Sequence, residues 1–479
     1  MVAAHFVVKL WRTLALAIVV GALGAYIYLV EQPRVADEAA GDVLLEFQPK
    51  DVASVTLRYP SSPAIRLERD GDHWQLREPV AFPADDGVVD RLLDQIAETE
   101  VERRIKTAEA QALATYGLDG DGEQARVSFT SSTGAKIPDV IVGRTTPVGY
   151  SAFARVDGAD DIVLTPLLLH TGVKKTVLEL RKKRLFEVDA QQVIAMRIDD
   201  AGRAVDLERR GDEWIIKSPI ESRADPEQAR DLVAGLNEIE ATDFPEPRPA
   251  DIIAADEGAL VFRATLATGD DVGFRLGRSV ESTPPGRYLE RSGDALLVTV
   301  EEATKVRFSK DVNTLRDKRL YRCGADDVAS VRFERADGGS FALERNGDGW
   351  SLTPPTERAT VRDAAVRRAV GALVTLAGKD VAMDNAASES DLAAFGLDVP
   401  VTEVEILRAD GSSCGRALAG VKDADSPSPA YYVKRNDDGL VMTLPSYLYS
   451  RIDIRRDDLV DKKPDPKAPV SPPAESETR

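Results

Sequence analysis

Leu67-Glu68-Arg69, followed by Gly71-Asp72-His73-Trp74, is the stretch from which the organisation of this chain is read. It returns as Leu207-Glu208-Arg209 with Gly211-Asp212-Glu213-Trp214, and again as Leu343-Glu344-Arg345 with Gly347-Asp348-Gly349-Trp350. The three tryptophans are 140 and 136 residues apart, a period long enough for each copy to enclose its own core. Apolar residues alternate on either side of the Gly-Asp pair: Val55 and Leu57, Ile65 and Leu67, then Trp74 and Leu76. That period of two predicts hairpin strands joined by a tight turn. The tryptophan therefore sits on a strand, and a bulky aromatic beside a turn is expected to fill the core of its own copy.

Further matches extend outward. Asp51-Val52-Ala53-Ser54-Val55 corresponds to Gln192-Val193-Ile194-Ala195-Met196 and to Asp327-Val328-Ala329-Ser330-Val331. Leu180-Arg181-Lys182-Lys183-Arg184-Leu185 closes the first copy and Leu315-Arg316-Asp317-Lys318-Arg319-Leu320 the second, with Ile454-Arg455-Arg456-Asp457 as a worn third ending. After Pro79, Pro219 and Pro354, apolar residues recur every three or four positions, which predicts a helix with one face on the sheet. These are Val89, Leu92, Leu93 and Ile96, then Leu232, Val233, Leu236 and Ile239, then Val366, Ala369, Val370 and Leu373. Asp225-Pro226 has the form of a helix start, and Thr360 to Asp363 that of a capping box.

The second half of each copy returns to strands around Val127 and Phe129, Leu260 and Phe262, and Val404 and Ile406. A glycine follows (Gly143, Gly277, Gly420), then an aromatic-to-basic run: Phe153-Ala154-Arg155, Tyr288-Leu289-Glu290-Arg291, Tyr432-Val433-Lys434-Arg435. The expected fold class is α+β, an N-terminal transmembrane helix followed by three tandem copies, each a mainly antiparallel sheet with packed helices. The expected divisions are a cytoplasmic N-terminus 1–12, an anchor 13–30, a linker 31–42, copies 43–183, 184–318 and 319–460, and a tail 461–479. The tail has five prolines in 19 residues and too little apolar surface to order itself.

The anchor rests on Thr13 to Val30, 18 residues without a charge, enough to cross about 30 Å of hydrocarbon. Lys9 and Arg12 precede it, so the positive-inside rule keeps the short N-terminus in the cytoplasm and exports the rest. A cleavable signal peptide is the alternative, with small residues available between Ala36 and Gly41, and it too exports the globular part. The expected location is thus a bacterial inner membrane with the bulk of the chain extracytoplasmic. All 81 Asp and Glu lie beyond this segment, against 60 of the 62 Lys and Arg. So acidic a surface repels phosphate backbones, and nucleic acid is set aside as a partner. Cys323 and Cys414 are the only cysteines and occupy non-equivalent places in the repeat. Two unpaired, partly buried thiols are expected, with a Cys323–Cys414 bridge as the alternative.

The "DVASV" starts, the "LER…GDxW…P" hairpin, and Phe395-Gly396-Leu397-Asp398-Val399-Pro400 with Tyr432-Val433 after it resemble the DUF4340 domain proteins, bacterial membrane-anchored proteins. The likeness runs from about residue 43 to residue 460. The first copy keeps Tyr116-Gly117-Leu118-Asp119 without the following proline, and the second has no such tetrapeptide where Ile252 to Gly258 stand. Members of the family often stand beside components of ABC transport systems of the gliding-motility-associated kind. The resemblance thus implies a partner among ABC transporter subunits or other envelope proteins, and no activity.

Chemistry is sparse. Of three histidines, His5 precedes the apolar segment, His73 lies on the tryptophan hairpin and His170 on a closing helix, with no H-E-x-x-H. There is no G-x-S-x-G elbow, and Gly143 to Gly149 lacks the Lys-Ser/Thr of a P-loop. Asp119-Gly120-Asp121-Gly122-Glu123 has alternate carboxylates suited to Ca²⁺ but lacks an EF-hand's glycine and distal Glu, and reads as a solvated turn. No catalytic, cofactor-binding or metal-ligating residue is nominated. The expected function is non-enzymatic binding or scaffolding, accessory to an ABC-type transport or envelope complex, with hairpins and inter-copy grooves as contact surface. A solute or polymer receptor using a cleft between copies is the alternative, and an envelope-polymer hydrolase the second.

Overall fold

In the computed structural model, the described residues are 42–106, 110–120, 122–147, 150–246, 259–355 and 359–462. Copy 1 forms nine strands: β1 Val52–Arg58, β2 Ile65–Asp70, β3 His73–Glu78, β4 Phe82–Pro83, β5 Arg103–Lys106, β6 Ala125–Ser131, β7 Val140–Thr145, β8 Ser151–Val156 and β9 Asp161–Pro166. Copy 2 forms eight: β10 Val193–Asp200, β11 Arg203–Arg210, β12 Glu213–Ser218, β13 Ser222–Arg223, β14 Leu260–Leu266, β15 Asp271–Val280, β16 Gly286–Arg291 and β17 Leu297–Glu301. Copy 3 follows with β18 Val328–Arg335, β19 Phe341–Asn346, β20 Gly349–Thr353, β21 Ala359–Val361, β22 Val381–Met383, β23 Thr402–Arg408, β24 Ser413–Lys422, β25 Ala430–Arg435, β26 Val441–Leu444 and β27 Val460–Lys462.

Each copy is one antiparallel sheet of the same design. The orders are β4-β3-β2-β1-β6-β7-β8-β9-β5, β13-β12-β11-β10-β14-β15-β16-β17 and β20-β19-β18-β23-β24-β25-β26-β22, while β21 and β27 make a separate pair. Register follows the alternation: Val55 faces Leu67, Met196 faces Leu207 and Val331 faces Leu343, all buried. The turn glycines Gly71, Gly211 and Gly347 have φ of 62°, 64° and 60°, the left-handed conformation that a two-residue hairpin with glycine first requires.

One helix of 12 residues per copy covers the sheet: Asp86–Ala97, Pro226–Asn237 and Asp363–Val374. Their buried residues are Val89, Leu92, Leu93 and Ile96, then Ala229, Leu232, Val233, Gly235 and Leu236, then Val366, Val370, Leu373 and Val374. Asp225 caps its helix through the N–H groups of Glu227 and Gln228, with Pro226 in the first turn. The capping box expected at Thr360 to Asp363 does not form. Thr360 belongs to β21, Arg362 stands at the N-cap, and the Asp363 carboxylate accepts from the Trp350 N–H.

Two expectations are corrected. The fold is mainly antiparallel β and not α+β: among the described residues strands supply 27 elements in four sheets, and the remaining α-helices are four to seven residues long. The period-two alternation in both halves of every copy leaves room for one amphipathic helix and a few single turns. As to the transmembrane helix, no helix of the described residues is long and apolar enough to cross a membrane. The segment assigned to it, 13–30, and most of the tail lie outside the described residues.

The glycine tetrapeptides have a packing role. In copy 1 the helix Ala110–Tyr116 ends at Gly117, φ 67°, so that Leu118 reaches Ile141 and Ile162 on the second face of the sheet, and Tyr116 lies 4.3 Å from Phe153. Copy 3 repeats this with Gly396, φ 66°, Leu397 against Val441, and Phe395 5.0 Å from Tyr432. Strand glycines make the approach close: a Cβ on Gly143 would overlap the Tyr116 carbonyl oxygen, and one on Gly420 that of Gly396. The corresponding stretch of copy 2, Ile252 to Gly258, is outside the described residues. Because the obstacle is backbone, Gly143→Ala and Gly420→Ala will each destabilise the protein by about 1–3 kcal/mol, read as a lower urea midpoint at unchanged slope.

Candidate functional site at the junctions between copies

The junction sequences divide their residues among three environments. Leu180 and Leu315 are fully buried in the copy they close, and Leu185 and Leu320 in the copy they open. The arginines between are buried as well, at 5% exposure for Arg181 and 2% for Arg316. Arg181 lies over the rings of Phe82 from copy 1 (5.4 Å) and Phe244 from copy 2 (4.7 Å), and donates to Glu246 at 2.8 Å. A planar guanidinium suits this place, since its faces stack on rings while its edge binds a carboxylate.

At the second junction the network is larger. Arg316 meets Asp384 of copy 3 at 2.8 Å, and Arg223 meets Asp437 at 2.8 Å. Asp317, almost fully buried, binds Arg319 at 2.9 and 3.0 Å. Arg435 donates to the carbonyls of Asp317 (2.9 Å) and Arg319 (2.8 Å), so the last residue of the aromatic-to-basic run hooks the incoming chain. Arg291 does the same in copy 2, through the Leu185 carbonyl at 2.9 Å. Burial works against the charge of Asp317, but its bonds to Arg319 prevail and hold its pKa below the usual carboxylate range. Asp438 is likewise held low by Arg435 against the effect of burial. Arg223 is pushed down by burial and by neighbouring Arg435.

The segment entering each copy is fastened at one equivalent position by three chemistries. Phe47 packs on Phe129 at 5.3 Å, and both backbone polar groups of Val188 bond to the Asn237 side chain at 2.7 Å. Cys323 is disulfide-bonded to Cys414, with Cα atoms 5.6 Å apart. The expectation of two free thiols is thereby corrected. The cysteines are non-equivalent in the repeat because one lies on the entering segment and the other on β24, which that segment crosses.

Beside this disulfide lies a cleft of about 460 Å³ lined by Asp212, Glu213, Trp214, Arg319, Arg322 and Cys323 among others. Glu213 and Arg322 pair across it at 3.0 Å. A larger cleft, about 580 Å³, lies against the helix of copy 2, but its Arg307 is engaged by Asp231 at 2.8 Å and its Phe308 is fully buried. Trp74 and Trp350 fill their cores as the sequence implied, at 1% and 8% exposure, whereas Trp214 is only partly buried. Sequence reasoning missed this place, although Pro226 and Arg230, standing where copy 1 has Asp86 and Asp90, were a legible signal.

The polar residues singled out from sequence are dispersed. His73 bonds exposed to Asp86 at 2.8 Å, which raises its pKa, while burial and then Lys174 lower that of His170. Glu123 is bound by Arg126 at 3.0 Å, so it is not a free calcium ligand, and Asp121 is outside the described residues. Among the described residues no three His, Cys, Asp or Glu side chains are grouped to hold a metal ion.

The fold and its junctions define a protein of tandem antiparallel-sheet domains joined through buried arginines. Residues 74–259 and 255–387 match the family model for a domain of unknown function, DUF4340, and the chain belongs to that family. No curated protein matches the chain.

Breaking a buried pair costs more than replacing it. Asp384→Ala, which strands the Arg316 guanidinium, will weaken the protein by about 2–4 kcal/mol, and Arg316→Met by less, in chemical denaturation. The depressed pKa values of Asp317 and Asp438 carry a sign. Their stabilisation is complete above the unfolded carboxylate pKa of about 3.9 and is lost as pH falls through the lower folded values. An acid titration followed by hydrogen exchange will therefore open the second junction below about pH 4.

Proposed function

We propose that this protein is a non-enzymatic extracytoplasmic scaffold, an accessory to an ABC-type transport or envelope complex that presents binding surfaces at fixed spacing along three jointed sheets. The observation that carries the proposal is the construction of the junctions. Buried charges and stacked rings hold successive copies in one relation, and such rigidity serves presentation to a partner. The Cys323–Cys414 bond supports an oxidising compartment, where structural disulfides persist. Exposed Tyr150, Leu168, Val306 and Tyr447 add apolar contact points distributed over all three copies.

Cross-linking of the full-length protein in native envelopes, followed by mild purification and mass spectrometry, tests the reading. Reproducible recovery of a permease, ATPase or other envelope subunit is expected, with cross-links mapping to junctions and hairpin turns. Recovery of the protein alone, where known envelope complexes survive, would contradict it. In the same cells, rapid alkylation should find Cys323 and Cys414 oxidised, and a reduced pair would contradict the assigned compartment.

A further inference from the structure

We infer that the cleft between copies 2 and 3 is a binding site for a saccharide ring, with Trp214 as its platform. The inference rests on the reading of the chain as a binding protein and adds a ligand class to it. It comes from comparing one residue in its three settings. In copy 1 the Trp74 backbone N–H donates to Asp86 at 2.6 Å and its indole N–H to Asp90 at 2.9 Å, while Arg69 covers the ring at 4.4 Å. In copy 3 the Trp350 N–H donates to Asp363 at 2.8 Å and Arg345 covers the ring at 5.2 Å. Copy 2 has lost each of these. Pro226 and Arg230 stand where the two carboxylates would be, and Arg209, which bonds the Gln191 carbonyl (3.2 Å) as Arg345 bonds that of Asp326 (2.9 Å), reaches the Gly211 carbonyl (3.1 Å) as well. Among the described residues no hydrogen bond uses the Trp214 indole N–H.

What remains is an indole, partly buried against its own core, that lines a cleft of about 460 Å³. The other groups around it are polar and of both signs. Asp212 has no ion-pair partner among the described residues, Glu213 and Arg322 bridge the cleft at 3.0 Å, and Arg319 is held by Asp317. A net-charged ligand gains little from so balanced a lining, and an apolar one would strand the carboxylates and guanidinium groups without water. A pyranose ring meets both demands: its C–H face lies on a flat aromatic surface, and its hydroxyls both donate to carboxylates and accept from N–H groups. The cleft has the size of a small-ligand site and the disulfide fixes its far wall, so little ordering is required on binding. A free sugar and a sugar within an envelope polymer present the same chemistry.

The test is a titration of the full-length protein, ¹⁵N-labelled at its indoles, with glucose and N-acetylglucosamine, with maltotetraose and chitotetraose, and with adenosine as a flat aromatic control. At least one saccharide should move the Trp214 indole resonance saturably, below about 10 mM, and leave those of Trp74 and Trp350 in place. Preference for the tetrasaccharide assigns a polymer as source, and equal response to the monosaccharide a free sugar. Trp214→Ala should weaken binding at least tenfold. Pro226→Asp with Arg230→Asp, which reinstates the carboxylates of copy 1, should also weaken it at least tenfold without lowering the melting temperature. No saccharide response, a response to adenosine alone, or binding by the double variant equal to that of the natural sequence would overturn the inference. Partner recovery by cross-linking is a separate readout, so loss of the sugar site leaves the scaffold reading to stand or fall on its own.

Discussion

The buried arginine at each junction is the constraint on which the arrangement of this protein depends. Taking a guanidinium out of water is costly, and the cost is met only where rings and a carboxylate are already in place around it. Arg181 finds Phe82 on one side and Phe244 and Glu246 on the other; Arg316 finds Asp384. The partners of Arg181 come from two copies and that of Arg316 from the following copy, so each pairing is made in one relative orientation of the sheets. At the third ending the equivalent residue is Val460, since Leu459 accepts from the Arg362 N–H as Leu180 and Leu315 accept from Asp85 and Asp225. The position thus carries an arginine where a following copy supplies its partners and a buried valine where none follows among the described residues.

Within that frame the copies have diverged by exchange of equivalent contacts. Gln95 reaches over Gly172 in copy 1, whereas in copy 2 the small residue is Gly235 and the long one Arg307, so the contact between main and closing helices survives with its halves interchanged. The entering segment is held by an aromatic pair, an amide and a disulfide in turn. Such substitutions keep packing constant while chemistry changes. The surroundings of Trp214 do not follow this pattern, because its missing contacts are not replaced. That makes copy 2 the place where the repeat departs from its own rule.

Much of the fold was legible because period-two alternation, a Gly-Asp turn and a helical stripe are local signals. Val55, Leu67 and Trp74, and Val89 to Ile96, are buried on the faces their spacing implied. The balance of helix to strand was misread, since the short apolar runs near Leu167 and Ser446 give helices of only six and four residues. The Leu-Arg-x-x-Arg-Leu junction was recognisable as a boundary, but nothing in sequence says that its first arginine is covered by the following copy. The pairing of Cys323 with Cys414 depends on a crossing between an entering segment and a strand 91 residues away. Such contacts are made by tertiary structure, which no local pattern reports. Of the cleft, only the loss of two aspartates near Trp214 was on the page.

The central claim is that buried charge at the junctions fixes the three sheets relative to one another. Spin labels placed on the exposed turn positions Asp72 and Asp348, each changed to cysteine, would report the distance between the first and third copies by pulsed electron resonance. The account predicts a single narrow distribution that broadens when Arg316 is replaced by alanine. A broad distribution in the protein with both native junctions, or one that Arg316→Ala leaves unchanged, would contradict it.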